Sequence, residues 1–323
     1  MPSKEIGGYF GLELSKGREY YPDAIKLNSG RNCFKYILLA QKPAKVHVPY
    51  YIDKGMIEES LQNLGVKFEF YNIDDKFELS RNVKVENGDK ILYVNYYALK
   101  NDYISKLVDI YKDKLILDYT QSFFCKPTKG IDTLYSLDSK FFGVQSGGYL
   151  FTEISLDKEL EQDYSYDRMI HILGRVDKNA SDFFEYYQES MKRRYNQEIK
   201  KMSRLTQAIL SSIDYEKVKI IRERNFYYLH SYLKDINELT VDISTVEGPM
   251  VYPLLIKKDG LRQNLIEKKI YVPTYWKQIL DLRGTSDTEK YILNYLLPLP
   301  IDQRYDIKDM KIIADNIKRE ICL

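Results

Sequence analysis

The sequence predicts an α/β protein with a mostly parallel sheet covered by helices, and two observations carry that prediction. Short apolar runs alternate with amphipathic helical patterns as far as residue 152, and strands separated by helices at that spacing imply parallel pairing. Near residue 155 the pattern changes to a charge-rich helical stretch, followed by a shorter mixture of strand and helix.

The elements follow in order. LNSGRNCFKYILLA (27–40) reads as a glycine turn opening a helix, and KVHVPYY (45–51) as a buried strand. A helix runs from Met56 to about Leu64, and KFEFYNI (67–73) alternates as a strand does. KILYVNYY (90–97) is a strand, and DYISKLVDIY (102–111) a helix with apolar residues three and four apart. KLILDY (114–119), TLYSL (133–137) and GGYLFT (147–152) complete the strands of the first half. From 155 to about 235 the chain reads as helix, with QEIKKMSRLTQAILSSI (197–213) the clearest amphipathic stretch. MVYPLLI (250–256) and IYVPTYW (270–276) read as strands, and GLRQNLIEKK (260–269) and IKDMKIIADNIKREI (307–321) as helices. The expected organisation is a sheet domain over 1–160, a helical connection over 161–235 and a small C-terminal α+β domain over 236–323.

Composition narrows the function classes. The chain has 323 residues, 44% hydrophobic and 30% charged, enough to bury a large core and a smaller one. Its 49 basic and 47 acidic side chains leave a net charge of +2, so no global field favours nucleic acid or an anionic membrane. No run approaches about 20 apolar residues, the length a membrane span needs, and MPSKEIGGYF lacks the basic-then-apolar order of a secretion signal. Cys33, Cys125 and Cys322 show no paired spacing, which suits a reduced cytoplasm. His47, His171 and His230 sit at no ligand spacing from a cysteine, so no metal is expected. Thirty tyrosines read as compositional bias. No Gly-x-Gly-x-x-Gly follows a strand and no Gly-x-x-x-x-Gly-Lys-Ser/Thr loop is present, against a dinucleotide dehydrogenase or a nucleoside-triphosphate enzyme. The absence of a basic aromatic stripe argues against a tyrosine-rich nucleic-acid-binding module.

Three segments carry chemistry. Ser29-Gly30-Arg31-Asn32 precedes a helix, where free N–H groups and the helix dipole favour a phosphate; a plain cap at Asn28 or Ser29 also accounts for it. Asp118 ends an apolar strand, where open α/β sheets bind ligands, with Gln121 three residues on; a loop cap is the competing account. Lys140 lies between a strand and the pair Gly147-Gly148, flanked by Phe141 and Phe142. A Schiff-base lysine needs such apolar surroundings, although an isolated lysine is ordinarily a surface residue.

Cradle, acid and lysine in that order are what pyridoxal 5′-phosphate (PLP) requires. Asp118-Tyr119-Thr120-Gln121 together with Lys140…Gly147-Gly148 resembles the DegT/DnrJ/EryC1/StrS sugar aminotransferases among fold-type I PLP enzymes. The Ser29–Asn32 turn and Val48-Pro49-Tyr50-Tyr51 match as well, whereas the second half matches only in plan, with LPLPIDQRY (297–305) its most family-like piece. The resemblance implies an aspartate-aminotransferase-like fold, a three-layer α/β/α large domain with a small C-terminal domain. It implies that Asp118 pairs with the pyridinium nitrogen, Gln121 approaches the phenolic oxygen and Lys140 forms the Schiff base and shuttles protons. Gly30, Arg31, Asn32 and Ser136 would hold the phosphate.

The implied reaction moves an amino group from a small-molecule donor to a nucleotide-linked keto-sugar for bacterial surface polysaccharide. The implied assembly is a cytoplasmic homodimer with shared sites. Lys140 separates the chain from relatives that carry histidine there and dehydrate sugars. Two positions depart from the pattern. Tyr135 stands where the family has a phosphate-binding serine, and Asp53 where it has a stacking aromatic. Stacking would then fall to Tyr50, Tyr51, Tyr96 or Tyr97, with Tyr51 preferred, and Arg168 and Arg304 are candidates for an anionic group. These departures also fit a non-catalytic or regulatory protein on the same fold, or a sugar-modifying PLP enzyme that is not an aminotransferase.

Overall fold

A computed structural model describes residues 6–322, without the side chain of Cys322. The first five residues of the N-terminal reading lie outside the described residues.

The elements are β1 (Ile25–Leu27), α1 (Gly30–Gln41), β2 (Val46–Pro49), α2 (Lys54–Ile57, continued by a π turn over Glu58–Gln62), β3 (Phe68–Tyr71), β4 (Lys90–Val94), α3 (Asn101–Tyr111), β5 (Leu115–Asp118), β6 (Asp132–Ser136) and β7 (Gly148–Phe151). There follow α4 (Ile170–Asp177), α5 (Phe184–Lys192), α6 (Arg204–Ser211), α7 (Tyr215–Leu233), β8 (Val251–Leu255), α8 (Leu261–Glu267), α9 (Asp287–Tyr295), β9 (Leu296–Pro300) and α10 (Ile307–Cys322).

Seven strands form one sheet in the order β1-β7-β6-β5-β4-β2-β3. β2 to β6 pair in parallel, with Val94 opposite Asp118 and Asp118 opposite Leu134. β7 runs antiparallel to both β6 and β1. Every residue of β5 and β6 is buried, the state of strands covered on both faces. The carboxyl ends of the parallel strands therefore open to one side, and the ligand crevice of such sheets forms there.

A second core lies at the other end of α7. Tyr215 and Val218 of that helix pack into the sheet core, while Phe226, Leu229 and Leu233 pack against β8, β9, α8 and α10. β8 and β9 pair antiparallel, Tyr252 facing Leu299. One helix thus anchors both cores.

The structure corrects three expected elements, the first being the start of the helical stretch, since residues 155–165 hold no helix. Residues 197–203 are extended rather than helical, because neighbouring backbone claims their hydrogen bonds. Asn28 N–H donates to the Lys200 carbonyl at 3.0 Å and Met202 N–H to the Lys26 carbonyl at 3.0 Å. Residues 270–276 are not a strand; Arg262 takes the Val272 and Pro273 carbonyls at 3.3 and 2.6 Å. β1, three residues between the N-terminal arm and the Ser29-Gly30 turn, has no counterpart in the sequence reading.

Candidate active site

Asp118, Gln121, Lys140, Ser136, Gly30 and Arg31 all line one cavity of about 510 Å³ at the carboxyl ends of the parallel strands. Its floor is Asp118, which is 4% exposed. Its Oδ1 accepts the Thr120 N–H at 2.8 Å, and no basic side chain reaches salt-bridge distance of it among the described residues. Burial raises its pKa, against the opposing pull of Thr120 and Lys140. An acid kept dry without a cationic partner is placed to receive one.

Gln121 accepts the Tyr97 N–H through Oε1 at 3.1 Å, so its amide nitrogen is left for the cavity. That bond holds a strained turn after β4, where Tyr97 and Ala98 take φ of 58° and 60°.

Ser29 caps α1, its Oγ accepting the Asn32 N–H at 3.1 Å. Gly30 follows because a Cβ there would lie 2.5 Å from the Ser136 Cβ. The helix terminus and the end of β6 are thus in direct contact, and the cap and the cradle readings are both satisfied by one turn. Asn32 is not part of the wall: its Nδ2 donates to Asn28 Oδ1 and the Glu198 carbonyl, both at 2.8 Å. Arg31 lines the cavity with its charge engaged. Nε meets Asp53 Oδ1 at 3.0 Å, Nη1 meets Glu59 Oε1 at 2.7 Å, and the guanidinium lies 4.5 Å from the Tyr195 ring centre.

Lys140 stands in a tight turn after β6, preceded by Ser139 at φ 55°. The Ser139 N–H bonds the Val144 carbonyl at 2.8 Å. Phe141 and Phe142, next in sequence, are buried, while the lysine side chain itself is half-buried. Its Nζ, however, donates to Asp138 Oδ1 at 2.7 Å and to Ser136 Oγ at 3.2 Å. Asp138 also binds Arg194, which enters from the turn after α5. Burial opposes ionisation of Asp138, and Arg194 and Lys140 overcome it, holding the carboxyl well below its usual range.

The outer wall comes from the second half of the chain. Trp276, the only tryptophan, lines the cavity at φ 59° and meets Tyr51 edge-on at 4.7 Å between centroids. Tyr51 itself is 1% exposed and does not line the cavity; Trp276, packed against it, does. Asp53 lines the cavity, pairs with Arg31 and caps α2 through the Gly55 N–H at 2.9 Å. Arg304 reaches the rim, tied to Asp302 by bonds of 2.7 and 2.8 Å. Arg168 is elsewhere, buried against Asp163 at 2.7 Å. Asp138, Arg194 and Trp276 were missed. The available signals were an acid two residues before Lys140 and the singular tryptophan; Arg194 gave none in a stretch rich in charge.

A parallel sheet whose strand ends bring an unpaired acid, a glutamine, a lysine and a helix N-terminus into one cavity defines the fold-type I PLP architecture, and the chain has that fold. It is similar to the sugar aminotransferase CalS13 from Micromonospora echinospora at 15% identity, covering 92% of this chain and 87% of that one with a TM-score of 0.64. It is likewise similar to a DegT DnrJ EryC1 StrS aminotransferase from Brucella abortus, at 16% identity, 91% and 85% coverage and a TM-score of 0.61. A third similar structure is NtdA from Bacillus subtilis with bound cofactor PMP, at 16% identity, 93% and 73% coverage and a TM-score of 0.64. No family model and no curated protein matches the sequence.

Proposed function

We propose that the chain is a PLP-dependent aminotransferase acting on a keto-sugar, with Lys140 as the cofactor lysine. The observation that carries this reading is Asp118, dry, without a basic partner and facing the same cavity as Lys140. The residues present fit the cofactor: Asp118 would hold the ring nitrogen, Gln121 the phenolic oxygen, and the Ser29–Arg31 turn with Ser136 the phosphate. When bound, PLP supplies an electron sink that lets a carbon beside nitrogen give up its proton. Lys140 would take up and return that proton through Nζ, the amine that lines the cavity. Trp276, part of the cavity wall, would help to exclude water from it.

The similar proteins support the substrate class, since CalS13 is a sugar aminotransferase and NtdA holds PMP. A nucleotide-linked sugar, a role in bacterial surface polysaccharide and a cytoplasmic setting extend the same reading. A homodimer belongs to it too, and Leu173, Val176 and Phe184, exposed on α4 and α5, offer apolar surface for a second copy.

The test is the visible spectrum of the purified protein with added PLP, before and after borohydride. A violet-region band fixed covalently in the wild type and absent from Lys140→Ala is the expected result. Absence of any band at saturating PLP overturns the enzyme reading and leaves a binding or structural role for the fold.

A further inference from the structure

Asp138 sits where the fold would place a phosphate. Three donors converge on its carboxylate: Ser136 Oγ at 2.9 Å and Lys140 Nζ at 2.7 Å on Oδ1, and the Arg194 guanidinium on Oδ2. Ser136 is also the residue against which Gly30, at the mouth of α1, is pressed. Hydroxyl, ammonium, guanidinium and helix N-terminus together form a phosphate donor set.

We propose that Asp138 is a built-in counter-ion for this anion subsite, so that a phosphate group binds in competition with its carboxylate and takes over Arg194. The proposal rests on the cofactor reading only for the identity of the natural anion; the competition itself concerns any phosphate. Arg31 cannot be the cation in question, because Asp53 and Glu59 already hold it against Tyr195. Arg194 has one carboxylate partner, and its Nε is buried without an acceptor. Lys140 and Arg194 give two positive charges against Asp138, leaving one. A phosphate dianion exceeds that single charge, whereas without the Asp138 carboxylate the charges cancel. A like charge at this range in a partly dry cavity weakens binding by an order of magnitude or more. Asp138 also holds the Ser136 hydroxyl, which must be released before it can serve a phosphate.

The experiment compares wild type, Asp138→Asn and Asp138→Ser for binding of inorganic phosphate, PLP and pyridoxal, read by quenching of Trp276 and by thermal shift. Both variants are expected to bind inorganic phosphate and PLP about tenfold more tightly than wild type. Pyridoxal, which lacks the phosphate, should bind all three proteins within about twofold. Adding Arg194→Gln to Asp138→Asn should cancel the gain. Equal or weaker phosphate binding in both variants overturns the proposal, and so does an equal gain for pyridoxal. Tighter phosphate binding with no visible band from PLP upholds the competition and removes the cofactor reading instead.

Discussion

Arg222 donates through Nη2 to the carbonyl of Phe141, the residue after Lys140, at 3.1 Å. The same guanidinium donates to the Pro249 and Met250 carbonyls at 3.1 Å each and to Gln303 Oε1 at 3.0 Å. Gln303 in turn donates to the Phe141 carbonyl at 2.7 Å. One side chain on α7 thus ties the lysine turn to the start of β8 and to the Asp302–Arg304 rim. It is 1% exposed, and burial lowers its pKa to about 10.

Arg222→Lys keeps the charge and loses the planar fork, so at most some of these acceptors stay bonded. The expected cost is about 2–3 kcal/mol, read as a lower urea midpoint at unchanged slope. Borohydride trapping at Lys140 should slow in the same variant. A stability within about 0.5 kcal/mol of wild type would mean that the hub carries no strain-sensitive geometry.

Asp118 gives a pH prediction with an unusual sign. Its folded pKa lies above the ordinary carboxylate value because burial disfavours the charge. The folded chain therefore holds a proton that the unfolded chain has released, and stability falls as pH rises through that interval. Asp118→Asn removes the loss. Without cofactor, the variant should be more stable than wild type by about 1 kcal/mol at pH 7, with the difference shrinking as pH falls towards 4. Its PLP affinity should drop at the same time, the exchange of stability for function expected of a binding-site acid. Thermal melts of both proteins at three pH values decide it.

Most of the sheet is legible in the sequence because β2 and β4 to β7 are apolar runs bounded by turns, and burial inside a sheet needs little else. β1 escapes because three residues carry no periodicity; antiparallel pairing with β7 makes it a strand. The 197–203 and 270–276 errors share a cause. Both segments have the right local pattern, but partners distant in sequence, Asn28 with Lys26 and Arg262, claim their backbone groups. The site divides the same way. Asp118, Gln121 and Lys140 sit at strand ends and turns that a motif can mark, whereas Arg194 and Trp276 reach the cavity only by tertiary packing.

The Gly147-Gly148 pair has two separate physical causes, which make separate predictions. Gly147 takes φ of +121°, open to glycine and costly for other residues. At Gly148 a Cβ would lie 2.7 Å from the Ser29 carbonyl and 2.7 Å from Cys33 Sγ. Gly148→Ala must therefore push α1 away from β7 and shift the Ser29–Arg31 turn. The expected loss is about 2–4 kcal/mol, with PLP affinity falling more than pyridoxal affinity because the phosphate end is displaced. A melting temperature equal to wild type would show that α1 slides at no cost.

Arg262 provides the last prediction, about the outer wall. Its Nη1 donates to the Pro273 carbonyl at 2.6 Å and its Nη2 to the Leu296 carbonyl at 2.6 Å, clamping the segment before Trp276 onto β9. Apolar packing holds part of that segment through buried Ile270 and Val272, while Tyr271 between them is 56% exposed. Arg262→Met should free it, at about 1–3 kcal/mol in global stability. Because Trp276 is the only tryptophan, its emission reports the wall directly. Acrylamide quenching should rise about twofold in the variant, as expected of a locally opened segment. PLP should still quench wild-type emission, while the donor-substrate KM rises more in the variant than kcat falls. Unchanged acrylamide quenching would place the restraint on Trp276 in its contacts with Tyr51 and Tyr96 instead, 4.7 and 6.0 Å away between centroids.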